Sequence, residues 1–164
     1  MVAQNIAFGL VAFAMVVGAI RVVTTKNVVH AALWLILVLA GVAANFILLA
    51  GEFVAVVQIL VYIGAITVLF LFGIMLTRAP IGRSADLDND QRWAALVVGL
   101  LLFGVLASVL SKQWGRQHVH PSIVGQRTAD VATSVFTSYV VPFEVVSLLL
   151  LAALVGAVVI ARRD

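Results

Sequence analysis

Glu52-Phe-Val-Ala-Val-Val-Gln-Ile-Leu-Val-Tyr-Ile-Gly-Ala-Ile-Thr-Val-Leu-Phe-Leu-Phe-Gly-Ile-Met-Leu76 is the stretch on which the reading of this chain turns. It is long enough to cross a bilayer once as a helix. It carries three hydrogen-bonding side chains (Gln58, Tyr62 and Thr67) and two glycines (Gly64 and Gly73) inside that crossing. An apolar helix has no solvent reason to hold a phenol near its middle. Either another buried group needs that phenol, or water and protons do.

The rest of the chain has the same character. Hydrophobic residues make up 64% and charged residues 10%, whereas soluble domains approach a quarter charged. One soluble core cannot hide so much apolar surface. The charges are also clumped: none falls in 1–20, 93–111 or 145–161, and Glu52 alone interrupts 31–77. A span of about 20 apolar residues crosses the hydrocarbon. The sequence therefore predicts an all-α, polytopic membrane protein with five spans, near 3–23, 29–50, 53–76, 93–111 and 140–161, forming a single integral membrane domain over 1–164. The first span lacks a preceding basic residue and a small-x-small cleavage site, so it reads as retained. With no cysteine, disulfides, iron–sulfur ligation and thiolate zinc sites are excluded together.

The net charge of +3 does not point to nucleic acid, because of how it is distributed. Five spans alternate the connecting segments between two sides. Arg21, Lys26, Arg78, Arg83, Arg92, Arg162 and Arg163 fall on one side, and Lys112, Arg116 and Arg127 on the other. Positive-inside bias makes the first side cytoplasmic. The N-terminus is then expected outside and the C-terminus inside.

The links around 23–28 and 50–52 are tight, so the first three spans must be antiparallel neighbours. Gly51 suits a helix stop, and Glu52 opens the next helix, where a negative charge complements the macrodipole. Glu52 is thus either an interfacial cap or a functional carboxylate. Two longer loops remain. The cytoplasmic one holds Asp86-Leu87-Asp88-Asn89-Asp90, which imitates the start of a calcium loop. Gln91 stands where that loop needs glycine and Val97 where it needs glutamate, so the run reads as solvated. In the outer loop, about Lys112 to Ser138, His118 and His120 have no third ligand close in sequence. No metal site is assigned. Trp93, Trp114 and Tyr139 sit where interfacial aromatic anchors belong.

The fifth span opens on Pro142, then carries Glu144 and Ser147 before an unbroken apolar run. Small residues recur four apart as Ala14 and Gly18, Ala152 and Gly156, and Ala157 and Ala161. Such pairs allow close helix approach and carry no chemistry.

Gln58 and Tyr62, four apart, share a face of an α-helix. Ten residues separate Glu52 from Tyr62, about 15 Å of helix, which puts the phenol near the midplane. A phenol and an amide can hold a chain of waters, and a carboxylate at the mouth can exchange protons with it. The same groups also serve as interhelical glue. Tyr62-Ile63-Gly64-Ala65 adds a second clue, since a mid-helix glycine eases the extra-residue turn of a π-bulge. No phosphate loop, serine elbow or haem histidine pair is present. No catalytic or cofactor-binding residue is assigned.

Glu52-Phe53, Gln58 through Ile66, Val68 through Phe72 and Met75-Leu76 resemble the third helix of subunit J of proton-translocating NADH-quinone oxidoreductase, that is, respiratory complex I and the NADH dehydrogenase subunit 6 family. Two further stretches agree: Arg21-Val-Val with Asn27 through Ile36, and Phe143-Glu144 with Leu148 through Leu151 and Gly156-Ala157. The resemblance implies a multi-pass membrane-arm subunit in the inner (plasma) membrane of a bacterium. It lies beside quinone-site and antiporter-like subunits and binds no redox centre of its own. FMN, iron–sulfur clusters and quinone belong to the partners. It also implies a π-bulge at about Tyr62 to Val68, whose change to α gates water between quinone site and pumping subunits. The proton path or gate is then expected to use Glu52, Gln58, Tyr62, Gly64, Ala65, Thr67, Val68 and Glu144. Two departures matter. Val28 stands where a proline is common, and Gln58 where some members carry glutamate, so Gln58 orders water but does not relay protons by ionising.

Two other readings share these features. A homologous complex fed by reduced deazaflavin or ferredoxin would look the same from the membrane. A small oligomeric secondary transporter would need an ionisable group deep in a span, yet Glu52 and Glu144 lie near span ends.

Overall fold

A computed structural model describes residues 2–77, 91–115 and 127–162. The described chain is all helix: α1 (Val2–Thr24), α2 (Val28–Leu48), α3 (Glu52–Leu76), α4 (Arg92–Trp114), α5 (Thr128–Thr137) and α6 (Val140–Ala161). All but α5 are long and apolar enough to cross a membrane. The acidic run at 86–90 and His118 and His120 lie outside the described residues.

Capping chemistry sets the helix ends. Asn27 caps α2, its side-chain oxygen accepting from the Val29 N–H at 2.9 Å and the His30 N–H at 3.4 Å. The α2–α3 turn differs from the sequence expectation in one detail. The left-handed residue is Ala50, at φ 57°, while Gly51 has φ −92°. The Gly51 N–H reaches the Phe46 carbonyl at 2.8 Å and the Ala50 N–H reaches Ile47 at 3.0 Å, the paired closure of a Schellman motif. The glycine therefore stands one residue past the position that needs it. Ala50→Gly is expected to stabilise the turn by about 1 kcal/mol, read as a small rise in the midpoint of thermal dissociation of the assembled protein.

α1, α2 and α3 pack in a row with α2 in the middle. Gly18 of α1 is buried: a Cβ there would lie 2.9 Å from Val38 Cγ2 and 3.1 Å from Leu37 Cδ2. Gly41 of α2 is closed by Met15, whose Cγ and Sδ would both obstruct a Cβ. Close backbone approach is how helices associate in lipid, where apolar surface alone provides no drive. The small-residue pairs meet different fates. Ala14 is exposed, so the approach on α1 is made by Gly18 with Met15 rather than by the pair. On α6, Ala152, Ala157 and Ala161 are exposed and nothing lies within 4 Å of a Cβ at Gly156.

The second half of the chain is open. Among the described residues no Cα of α4 comes within 8 Å of another helix, and α6 approaches only α5. Neither α4 nor α6 has a buried residue within its span. The stretch expected as one outer loop from Lys112 is partly helical, since α4 continues to Trp114 and α5 follows. The Thr- and Ser-rich segment 128–137 reads as loop by composition. It is helical because Asp130 Oδ2 accepts the Arg127 N–H at 3.2 Å and Phe136 stacks edge-on with Phe143, centroids 5.1 Å apart. α6 starts at Val140, so Pro142 lies inside its first turn.

Candidate functional site

α3 begins α-helical at Glu52–Val57, winds as a π-helix over Gln58–Ile66, and returns to α at Thr67–Leu76. Where a π-bulge at about Tyr62 to Val68 is expected, α3 carries a nine-residue π-helix that begins four residues before Tyr62 and ends two before Val68. Its far end is marked by Thr67. The Thr67 N–H and the Thr67 hydroxyl both donate to the Tyr62 carbonyl, the hydroxyl at 2.6 Å. Thr24, Thr77, Thr133 and Thr137 each donate instead to the carbonyl four residues back, the ordinary α habit. Thr67 reaches five back because the ladder there is π.

Two polar side chains on α3 are buried, Gln58 at 7% exposure and Thr67 at 2%. Gln58 Nε2 donates to the Leu39 carbonyl of α2 at 3.5 Å, so it has the interhelical role the sequence allowed. The packed line of α3 runs Ala55, Gln58, Ile63, Thr67, Leu71, Ile74, with Val57 and Gly73 half-buried beside it. Its steps are three, five, four, four and three residues, and the single step of five falls inside the π segment.

Tyr62 is turned off that line. It is 47% exposed, and its hydroxyl has no hydrogen-bond partner among the described residues. A phenol is both donor and acceptor, so it offers two hydrogen-bonding positions to whatever stands outside this chain. Gln58 is thus buried and Tyr62 half-exposed, although α spacing would put both on one face. Gly64, Ala65 and Val68 are also exposed. A Cβ at Gly64 would lie 3.4 Å from the Ile59 carbonyl, ordinary contact, so the π backbone does not itself demand glycine there.

Glu52 is exposed in the first turn of α3, where its charge meets the helix N-terminus. Glu144 is exposed near the start of α6. Because α5 approaches the first turns of α3 and packs its Phe136 on Phe143, the two carboxylates belong to the same end of the molecule. The structure brings neither into hydrogen-bond contact with Tyr62.

Two features escaped the sequence reading. Ile63 is half-buried while its neighbours in the π segment other than Gln58 are exposed, and only the step of five reveals it. Asn45 of α2 donates from Nδ2 to Met15 Sδ at 3.2 Å, while its buried Oδ1 has no partner among the described residues. It lines a cleft of about 230 Å³ with Gln4, Asn5, Phe8, Leu48 and Leu49. The signal was available, since an amide inside an apolar span is rarely idle.

Residues 18–160 match the family model described as NADH-ubiquinone/plastoquinone oxidoreductase chain 6. The chain is 39% identical to F(420)H(2) dehydrogenase subunit J of Methanosarcina mazei, covering 98% of this chain and 92% of the relative. It is 38% identical to NAD(P)H-quinone oxidoreductase chain 6 of Leptolyngbya boryana, over 98% of this chain and 81% of that one. With the chloroplastic NAD(P)H-quinone oxidoreductase subunit 6 of Chlorokybus atmophyticus the identity is 35%, over 92% and 79% respectively.

Proposed function

Because the chain belongs to the NADH-ubiquinone/plastoquinone oxidoreductase chain 6 family, and so is a multi-pass membrane subunit whose partners are the other subunits of a quinone oxidoreductase complex, we propose that its α3 helix gates proton movement coupled to quinone reduction. The observation that carries this reading is Tyr62, a half-exposed phenol inside an apolar helix, turned outward by a π segment. In hydrocarbon, an unpaired hydroxyl is costly. A water chain or a polar group of a sister subunit relieves that cost. Changing π to α rotates one half of the helix against the other by about 100°. The phenol is then withdrawn from the outer face and the water chain is broken.

In this reading the chain holds no redox group. FMN, iron–sulfur clusters and quinone reside in partner subunits, and NADH is the electron donor. The neighbours on the open side of α3 and around α4 and α6 are the quinone-site and antiporter-like subunits. The N-terminus faces outward and the C-terminus the cytoplasm, in a bacterial plasma membrane, as the cation asymmetry favours. Glu52 and Glu144, at the outer end, exchange protons with solvent.

A second reading keeps the gate and changes the donor. A relative covering 98% of this chain is named for F(420)H(2), a reduced deazaflavin, which favours a complex fed by that donor. Comparing quinone reduction by membranes given NADH or reduced deazaflavin separates the two.

Tyr62→Phe keeps the ring and removes the hydroxyl. The assembled complex is expected to form in normal amount and to reduce quinone in detergent. In liposomes its protons moved per electron should fall severalfold. An unchanged proton-to-electron ratio would overturn the gate.

A further inference from the structure

We propose that Gln58 and Thr67 are the positioning residues for Tyr62: they are fixed, buried ends between which one surplus residue is wound, so that the π register presents Ile63 to α2 and turns Tyr62 outward. The link to proton movement rests on the gating reading above; the register argument does not.

Helical phase demands the surplus residue. At about 100° per residue, the nine steps from Gln58 to Thr67 amount to about 900°, half a turn out of phase. In a regular α-helix one of the two would face away from α2. Both are buried, and Gln58 touches α2 through the Leu39 carbonyl. Taking one residue out of the count leaves about 800°, which puts them within about 80° of each other. Ala55 and Thr67, twelve residues apart, tell the same story, since one surplus residue leaves them about 20° apart. α2 provides an internal comparison: its buried Ala32 and Ala43 are eleven residues apart, about 20° out of phase with nothing to absorb.

Both ends also resist being moved. Turning Gln58 out would strip its amide of the Leu39 carbonyl. Turning Thr67 out would expose a side chain that is only 2% exposed, whereas its hydroxyl bond to the Tyr62 carbonyl lies within α3 and follows the backbone register. With these ends held, an α register keeps the packed line in phase only once the surplus residue is removed. The step of five from Gln58 to Ile63 becomes a step of four, from Gln58 to Tyr62, and the phenol swings onto α2 as Ile63 leaves it.

Deletion of single residues tests this in the intact complex. Ala65 is exposed and lies inside the π segment. Without it, Gln58 and Thr67 are eight residues apart and a plain α-helix satisfies both. The Ala65-deleted complex is expected to assemble to within about twofold of the parent, a loss of no more than about 0.4 kcal/mol. A density map of that complex should show α3 fully α-helical, with Tyr62 against α2. Deletion of Leu37, an exposed residue in the regular α2, has no surplus turn to consume and should lower assembly at least tenfold. If the Ala65 deletion is as damaging as the Leu37 deletion, the proposal is overturned. It is equally overturned if the map retains a π segment with Thr67 turned outward. An assembled, fully α-helical complex that pumps at the parental proton-to-electron ratio upholds the register role and removes the gate. One that reduces quinone without pumping upholds both.

Discussion

Gly41→Leu is expected to abolish accumulation of the assembled complex, while Gly9→Leu on the neighbouring helix leaves it largely intact. At Gly41 even a Cβ collides with Met15 Cγ and comes 2.8 Å from Met15 Sδ, whereas nothing lies within 4 Å of a Cβ at Gly9. A leucine adds three more carbons to that collision. Met15 cannot move without cost, because its sulfur also accepts the Asn45 amide at 3.2 Å, and displacing it leaves both ends of Asn45 unpaired. Overpacking of this kind typically costs about 1–3 kcal/mol. The unpaired amide adds about 1–3 kcal/mol more. A subunit that loses so much of the α1–α2 contact loses the surface on which α3 sits. Native gel electrophoresis of solubilised membranes measures the outcome. Met15→Ala combined with Gly41→Ala should recover much of the complex that Gly41→Ala alone loses. Equal assembly of the Gly41→Leu and Gly9→Leu proteins would show that α1 and α2 do not meet where the structure joins them.

The second large effect concerns the chain without its partners. Among the described residues α4 has no neighbouring helix and α6 approaches only the short α5. Lipid solvates their apolar faces as well as protein does, so each helix stays inserted, but nothing fixes where it stands. Because the chain has no cysteine, spin labels can be attached at introduced cysteines without background. With one label on α2 at Leu33 and one on α4 at Val98, both exposed, the distance distribution should be several-fold broader for the isolated chain in liposomes than in the complex. Labels on α1 and α2, which pack directly, should give narrow distributions in both. A narrow α2–α4 distance in the isolated chain would mean that the fold is self-sufficient and that sister subunits do not position its second half.

Much of this architecture was legible from composition, and the reason is local. Whether twenty residues can cross hydrocarbon depends on those residues alone, so the five spans emerged with ends within about three residues of those observed. The polar positions of α3 were legible for the same reason: Gln58, Tyr62 and Thr67 are conspicuous in an apolar run. The α5 helix was not legible, because its cap and its Phe136–Phe143 contact outweigh a composition that favours loop. Nor was the placement of the left-handed turn residue at Ala50, where closure of the Schellman bonds overrode the preference for glycine.

The sequence by itself determined how many times the chain crosses the membrane, where the tight turns fall, and that a phenol sits midway along the third crossing. Only the tertiary structure decided which way that phenol faces. In a soluble helix the polar face announces the buried one, but in lipid both faces are apolar and the pattern says nothing about direction. The direction is set by α2, whose surface buries Gln58 and Thr67 together and so holds one residue too many in the turns between them.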